Sequence, residues 1–168
     1  METTRGLYAA VDDLYRDHGA AAFRLAYLLT GSRAAAEDLV QDAFVRVLAR
    51  MRHVRDRETL PSYLSRTIVN LAKNEYRRQG RLRTFVSSGR GAAPSTTSIP
   101  ELEVRDEVHA QLLRLPLRQR AALVLRYCED RSEAEVADAL GTSAKAVRSL
   151  VGRGLETIRS RNGETRDA

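Results

Sequence analysis

Apolar residues recur at helical spacing in two long blocks of this chain, residues 7–79 and about 102–160, with few breakers inside either. In the first block Leu7, Val11 and Leu14 mark a short amphipathic helix, and a second is expected from about Ala20 to Leu29. Thr30-Gly31-Ser32 then stops the chain and offers Ser32 as the N-cap of a third helix, from Arg33 to about Met51. That helix puts Val40, Ala43, Phe44, Val47 and Met51 on one face and Asp38, Gln41, Asp42 and Val45 on the opposite one. After the charged loop HVRDRET, Pro61 suits the first turn of a fourth helix running to about Arg78, with Leu60, Leu64, Ile68 and Leu71 on its apolar side.

The second block opens with a helix from Arg105 to Leu113, and Pro116 starts another through RQRAALVLRY. Ser132 with Glu135 fits the capping box S-x-x-E, so a helix begins there and Gly141 ends it. Ser143 caps a last helix, in which Val147, Val151, Leu155 and Ile158 form the packing stripe. Two helices joined by Gly141-Thr142-Ser143 make a helix-turn-helix, the last helix holding the recognition position. Between the blocks, QGRLRTFVSSGRGAAPSTTSIPE gathers Gly, Ser, Thr and two prolines and reads as an exposed linker. The fold class is therefore all-α: two small helical domains, 1–80 and 102–161, joined by a flexible linker at 81–101, with 162–168 as a tail.

Composition agrees with helices and adds charge. With no Trp and only six Tyr and three Phe, the core must be aliphatic, and Leu, Ala and Val suit helices better than strands. The net charge of +6 comes mainly from arginine, whose planar fork matches phosphate and base edges. A polyanionic partner follows, unless the charge is only a solvated basic surface; position has to decide. A single cysteine, Cys128, excludes an intramolecular disulfide, and its apolar helical run predicts a buried structural thiol. The opening METTRGLYAAVDDLYRD has no apolar core of a signal peptide, and Ala20–Leu29, interrupted by Arg24, is too short to span a bilayer. A cytoplasmic protein with no membrane insertion is expected.

Two basic arrays carry the chemistry. In the last helix Lys145, Arg148, Ser149 and Gly152 face outward, a compact cation-and-hydroxyl surface of the kind that enters a major groove, where each bidentate pair contributes roughly 1–3 kcal/mol of discrimination. Gly152 and Gly154 either permit close backbone approach or only weaken the helix. In the fourth helix Arg66, Asn70, Lys73, Asn74 and Arg77 share one face, with Arg78, Arg81 and Arg83 following. Tyr63 and Tyr76 interleave with this stripe, where they either stack on unpaired bases or lie in the core with solvated hydroxyls.

The runs LTGSRAAAEDLVQDAFVRVLARM and LPSYLSRTIVNLAKNEYRR resemble region 2 of extracytoplasmic-function sigma factors, the promoter-recognition subunits of bacterial RNA polymerase. LLRLPLRQRAALVLRYCEDRSEAEVADALGTSAKAVRSLVGRGLETIR is similar to their region 4, in the same order. The resemblance implies that Asp38, Gln41 and Asp42 bind the beta-prime clamp helices of RNA polymerase core, with the beta flap as a further contact. It implies that the loop from His53 to Leu60, with the helix from Asn70 to Arg77, holds the melted minus-10 element of promoter DNA. The recognition helix then reads the minus-35 element through Lys145, Arg148, Ser149 and Arg153, the last nearest the packing side. An anti-sigma factor is the implied inhibitor. The chain departs from the family at Leu150, where Arg is frequent, and at Asn74, where Asp is frequent, and both positions bear on promoter preference.

Two modules on one strand of chain gain from effective concentration. A linker of about 20 residues extends to at most ~70 Å, close to two turns of B-DNA at ~34 Å each. The competing reading is a stand-alone helix-turn-helix regulator whose first block is a sensor or dimerisation domain. An enzyme is disfavoured because His18, His53 and His109 are scattered and GRGAAP sits in the linker rather than between a strand and a helix. The carboxylates of Asp38 and Asp42 lack the second Glu or His cluster of a metal site. No catalytic residue, metal or cofactor is expected.

Overall fold

The computed structural model of the chain describes residues 2–51, 57–85 and 106–166, all of whose regular elements are helical. They are α1 (Glu2–Thr30), α2 (Arg33–Met51), a 3-10 turn (Arg57–Thr59), α3 (Leu60–Phe85), α4 (Asp106–Leu113), α5 (Leu117–Leu123), which runs into a π turn (Val124–Cys128), α6 (Glu133–Leu140) and α7 (Ala144–Arg166). The chain divides into two compact units, Met1–Glu101 and Leu102–Ala168.

In the first unit α1, α2 and α3 pack against one another pairwise. The two N-terminal helices expected from the sequence are a single one. Ala10, Leu14, Ala22, Leu25, Ala26 and Leu29 are all buried, so the apolar stripe continues from one expected helix into the next. Gly19 does not interrupt it: a glycine inside a helix costs about 1 kcal/mol, less than burying the stripe on both sides returns. Gly31 does, with φ at 71°, and Ser32 Oγ then accepts the Ala35 amide at 3.3 Å to start α2. In α2 the buried face is Ala36, Leu39, Val40, Ala43, Phe44 and Val47, with Met51 half-buried. Leu60, Leu64, Ile68 and Leu71 bury the matching face of α3.

Helix α3 outruns its expected end at Arg78 by nearly two turns, so the first residues of the expected linker are helical. Gly80 is tolerated because, with nothing within 4 Å of its Cβ direction, it carries only a propensity penalty. Residues 86–101 of that linker, His53–Asp56 of the loop before it, and Arg105 lie outside the described residues.

The second unit is built around α5, against which α4, α6 and α7 pack. Six consecutive residues, Arg120 to Leu125, are buried, which no single helical stripe allows. The π turn explains the end of that run. The Glu129 amide reaches back to Val124 O at 3.1 Å and the chain gains one residue of register. Cys128, expected in the core, is therefore exposed: in α register it would share a face with buried Ala121, Val124 and Leu125, and the π turn rotates it out. Helix α7 continues to Arg166, through most of the expected tail. Among the described residues no helix is long and apolar enough to cross a membrane.

Candidate nucleic-acid interface

The helix-turn-helix is assembled by local chemistry. Ser132 Oγ accepts the Glu135 amide at 3.2 Å while the Glu135 carboxylate accepts the Ser132 amide at 2.8 Å, a complete capping box at the start of α6. The hydrogen bond from the Ser132 amide, joined by the Ser132 hydroxyl and Arg131, holds the Glu135 carboxyl below the usual carboxylate range. Gly141, with φ at 59°, ends α6, and the Thr142 amide closes the turn on Ala137 O at 2.9 Å. Ser143 Oγ then accepts the Ala146 amide at 3.2 Å, starting α7. Val136, Ala137, Ala139 and Val147 are buried beneath the turn and fix the two helices to α5.

On this support α7 presents Lys145, Arg148, Ser149 and Gly152, all exposed. Arg153, expected beside the packing stripe, is exposed too, with its Nε donating to Ser149 O at 3.3 Å. The core-facing side instead uses Val147 and Gly154, with Val151, Leu155 and Ile158 half-buried. A Cβ on Gly154 would stand 2.8 Å from Leu123 Cδ1, so this glycine serves close approach of α7 to α5, whereas Gly152 has open space around it. Leu150 is half-buried.

In the first unit, Asn70, Asn74 and Arg77 are exposed on α3, and Arg66 and Lys73 on the same face are half-buried. Five residues at spacings of 4, 3, 1 and 3 cover about a quarter of the helix circumference. Arg78 does not extend this stripe. It is tied in two hydrogen bonds, each 3.0 Å, to Glu75, whose carboxylate also accepts from Gln79 at 3.1 Å. The Arg78 bond holds the Glu75 carboxyl below its ordinary range, so this acid stays ionised and its charge is paired with Arg78 beside the cationic face. Tyr76 is 54% exposed, while Tyr63 is half-buried beneath the Arg50 guanidinium, 4.9 Å from its ring centre. On α2, Asp38, Gln41, Asp42 and Val45 are all exposed, a polar ridge with one apolar residue at its C-terminal end.

Comparison with known proteins places both units within one family. Residues 14–82 match the family described as sigma-70 region 2, and residues 105–158 match sigma-70 region 4. The RNA polymerase sigma-E factor of Streptomyces antibioticus is 33% identical over 141 residues, covering 79% of this chain and 72% of that protein. The chain belongs to the extracytoplasmic-function RNA polymerase sigma factors. The ECF RNA polymerase sigma factor SigE of Mycolicibacterium smegmatis is 34% identical over 154 residues, 88% of this chain, which spans 60% of that longer protein. The fold is likewise shared with the sigma factor RpoE of Bartonella quintana, solved in complex with the anti-sigma factor NepR. That likeness has a TM-score of 0.67 at 20% identity and covers 95% of each chain.

Region 2 of this sigma factor thus carries both the α2 ridge and the α3 basic face, and region 4 carries the helix-turn-helix. The sequence reading missed three residues that shape these faces: Glu75, which takes Arg78 out of the basic stripe; Glu133, whose Oε2 receives Arg148 Nη1 at 2.6 Å; and buried Arg120. The first left a legible signal, an acid three residues before an arginine on one helix. The second pair is 15 residues apart across a turn and left none.

Proposed function

We propose that this sigma factor binds core RNA polymerase and directs it to a particular set of promoters, contributing recognition and strand separation but no catalytic group. The observation that carries this reading is the succession of region 2 and region 4, each on a compact helical unit with an exposed cation-bearing face. In it, Asp38, Gln41 and Asp42 engage the beta-prime clamp helices. Two carboxylates followed by exposed Val45 on the same face suit a basic, partly apolar helical partner, and the ridge lies clear of the core that α2 buries. Region 4 contacts the beta flap while its recognition helix reads the minus-35 element.

The α3 face then holds the melted minus-10 strand. Arg66, Lys73 and Arg77 supply charge for the backbone, and the amides of Asn70 and Asn74, each both donor and acceptor, suit base edges. Unstacking a base costs a few kcal/mol, which contacts of this kind offset. The functional boundaries are those of the sequence reading, 1–80 and 102–161, with α3 carried to Phe85. An anti-sigma factor that covers these faces is the proposed inhibitor, supported by neighbours such as RpoE with NepR and CnrH with the cytosolic domain of CnrY. The site of action is the cytoplasm, where polymerase and promoter DNA meet. The stand-alone regulator is not favoured, because region 2 occupies the block which that reading gave to a sensor or dimerisation domain.

Run-off transcription by core enzyme on genomic templates, with and without the chain, tests the proposal. Promoter-specific product only when the chain is present is the expected result, and its absence on every template would refute it.

A further inference from the structure

We propose that Glu133 is a specificity-determining residue of the helix-turn-helix, holding the Arg148 guanidinium for a base edge and withholding it from phosphates; this rests on the minus-35 reading above. Glu133 is the first residue of α6 and Arg148 lies in the second turn of α7, so the 2.6 Å contact between Oε2 and Nη1 bridges the tip of the motif. Both side chains are partly exposed, at 38% and 60%, so the pair meets incoming DNA instead of lying within the core.

An arginine side chain is long and rotatable, and phosphates line both walls of the major groove. Contacts to phosphates fix register but carry no sequence information. A carboxylate on Nη1 removes much of that freedom. It leaves the Nε and Nη2 edge, two parallel donors in the fork geometry that matches guanine O6 and N7. Its negative charge also opposes phosphate oxygens, so the guanidinium gains on approach only where a base acceptor receives it. The other acid in the first turn of α6 cannot substitute, because Glu135 is occupied by the Ser132 amide and Arg131.

Holoenzyme assembled from core polymerase and the full chain is equilibrated with fully randomised duplexes, bound duplexes are sequenced, and affinity for a scrambled duplex is followed across a salt series. The wild-type chain selects an upstream element, and Arg148→Ala erases the preference at one or two of its base pairs. Glu133→Gln weakens preference at those same base pairs about tenfold. It also tightens binding to the scrambled duplex and steepens its salt dependence by about one ion. Glu133→Ala behaves alike, and the melting temperature of both variants stays at the wild-type value. If Glu133→Gln tightened every duplex equally and left base preference intact, the positioning role would be overturned while the sigma reading stood. An unchanged preference in Arg148→Ala would overturn the inference by removing the contact it positions. A wild-type holoenzyme that selects no element would overturn the sigma reading and the inference with it.

Discussion

Arg120 is 3% exposed, yet its guanidinium keeps its charge in any folded protein, so its burial has to be compensated in place. Its Nε donates to Leu112 O at 2.9 Å, and its Nη2 donates to Leu113 O and Leu115 O at 2.9 and 3.0 Å. These carbonyls lie at the end of α4 and in the turn after it, where Leu112 O also accepts the Leu115 amide at 3.0 Å. Arg120→Ala removes the guanidinium donors from all three carbonyls and is expected to cost about 3 kcal/mol, read by chemical denaturation. Arg120→Lys recovers only part of that, because one ammonium does not span the fork. The two glycines of α7 should respond with opposite signs. Leu123 is buried and cannot withdraw from a Cβ at 2.8 Å, so Gly154→Ala is expected to destabilise by about 1–3 kcal/mol. Gly152→Ala meets nothing within 4 Å and should stabilise by about 0.5–1 kcal/mol. At Glu135 the folded carboxyl titrates below its ordinary value of 4.5, chiefly through the Ser132 amide. Its stabilising contribution is therefore complete above that value and is lost as pH falls through the folded pKa. Melting curves of wild type and Glu135→Gln should differ at pH 7 and converge in acid.

Most helices of this chain could be read from punctuation and stripe, because caps and glycine stops act within a few residues. Ser32, Ser132 with Glu135, Gly141 and Ser143 all perform the capping and stopping expected of them. The misjudged boundaries have a common cause. At the middle of α1 and the end of α3, local propensity argued for an interruption, and packing or simple continuation of the hydrogen-bond ladder overrode a single glycine. The π turn is a different failure. A sequence window assumes 3.6 residues per turn throughout, so a one-residue slip at Val124–Cys128 is invisible and misplaces the end of that helix, Cys128 with it. A thiol reagent is accordingly expected to label Cys128 in the native protein without denaturant; labelling only after unfolding would contradict the exposed position.

For the molecule as a whole, the proposed function is divided between faces that the two units turn to solvent. Converting Asp38 and Asp42 to Lys reverses the α2 ridge without touching the residues that α2 buries. Association with core polymerase, followed by co-purification or surface binding, should fall by well over tenfold, while helical content and melting stay near wild type, since exposed substitutions cost within about 0.5 kcal/mol. Retained association would remove the ridge from the polymerase interface. The faces of the candidate site were legible at this scale because both basic arrays and the acidic ridge lie on single helices, where spacing alone decides which side chains share a face. How charges pair within these faces was legible only in part, at the i, i+3 spacing of Glu75 and Arg78. Glu75 neutralises Arg78 and Glu133 engages Arg148 through side-chain geometry that charge counting treats as independent ions.

The sequence by itself determined that this chain is all helix, that it forms two units, where most helices begin and end, and which polar residues stand outward together. Those properties follow from hydrogen bonding and periodicity within a few residues of chain. Only the tertiary structure decided that Arg120 lies inside and Cys128 outside, that Gly154 is a contact and Gly152 is not, and that Arg148 answers to Glu133. Gly154 against Leu123 and Arg148 against Glu133 join residues distant in sequence that meet only when apolar faces close on one another, while Arg120 and Cys128 depend on a turn and a π turn that a regular helical pattern does not show.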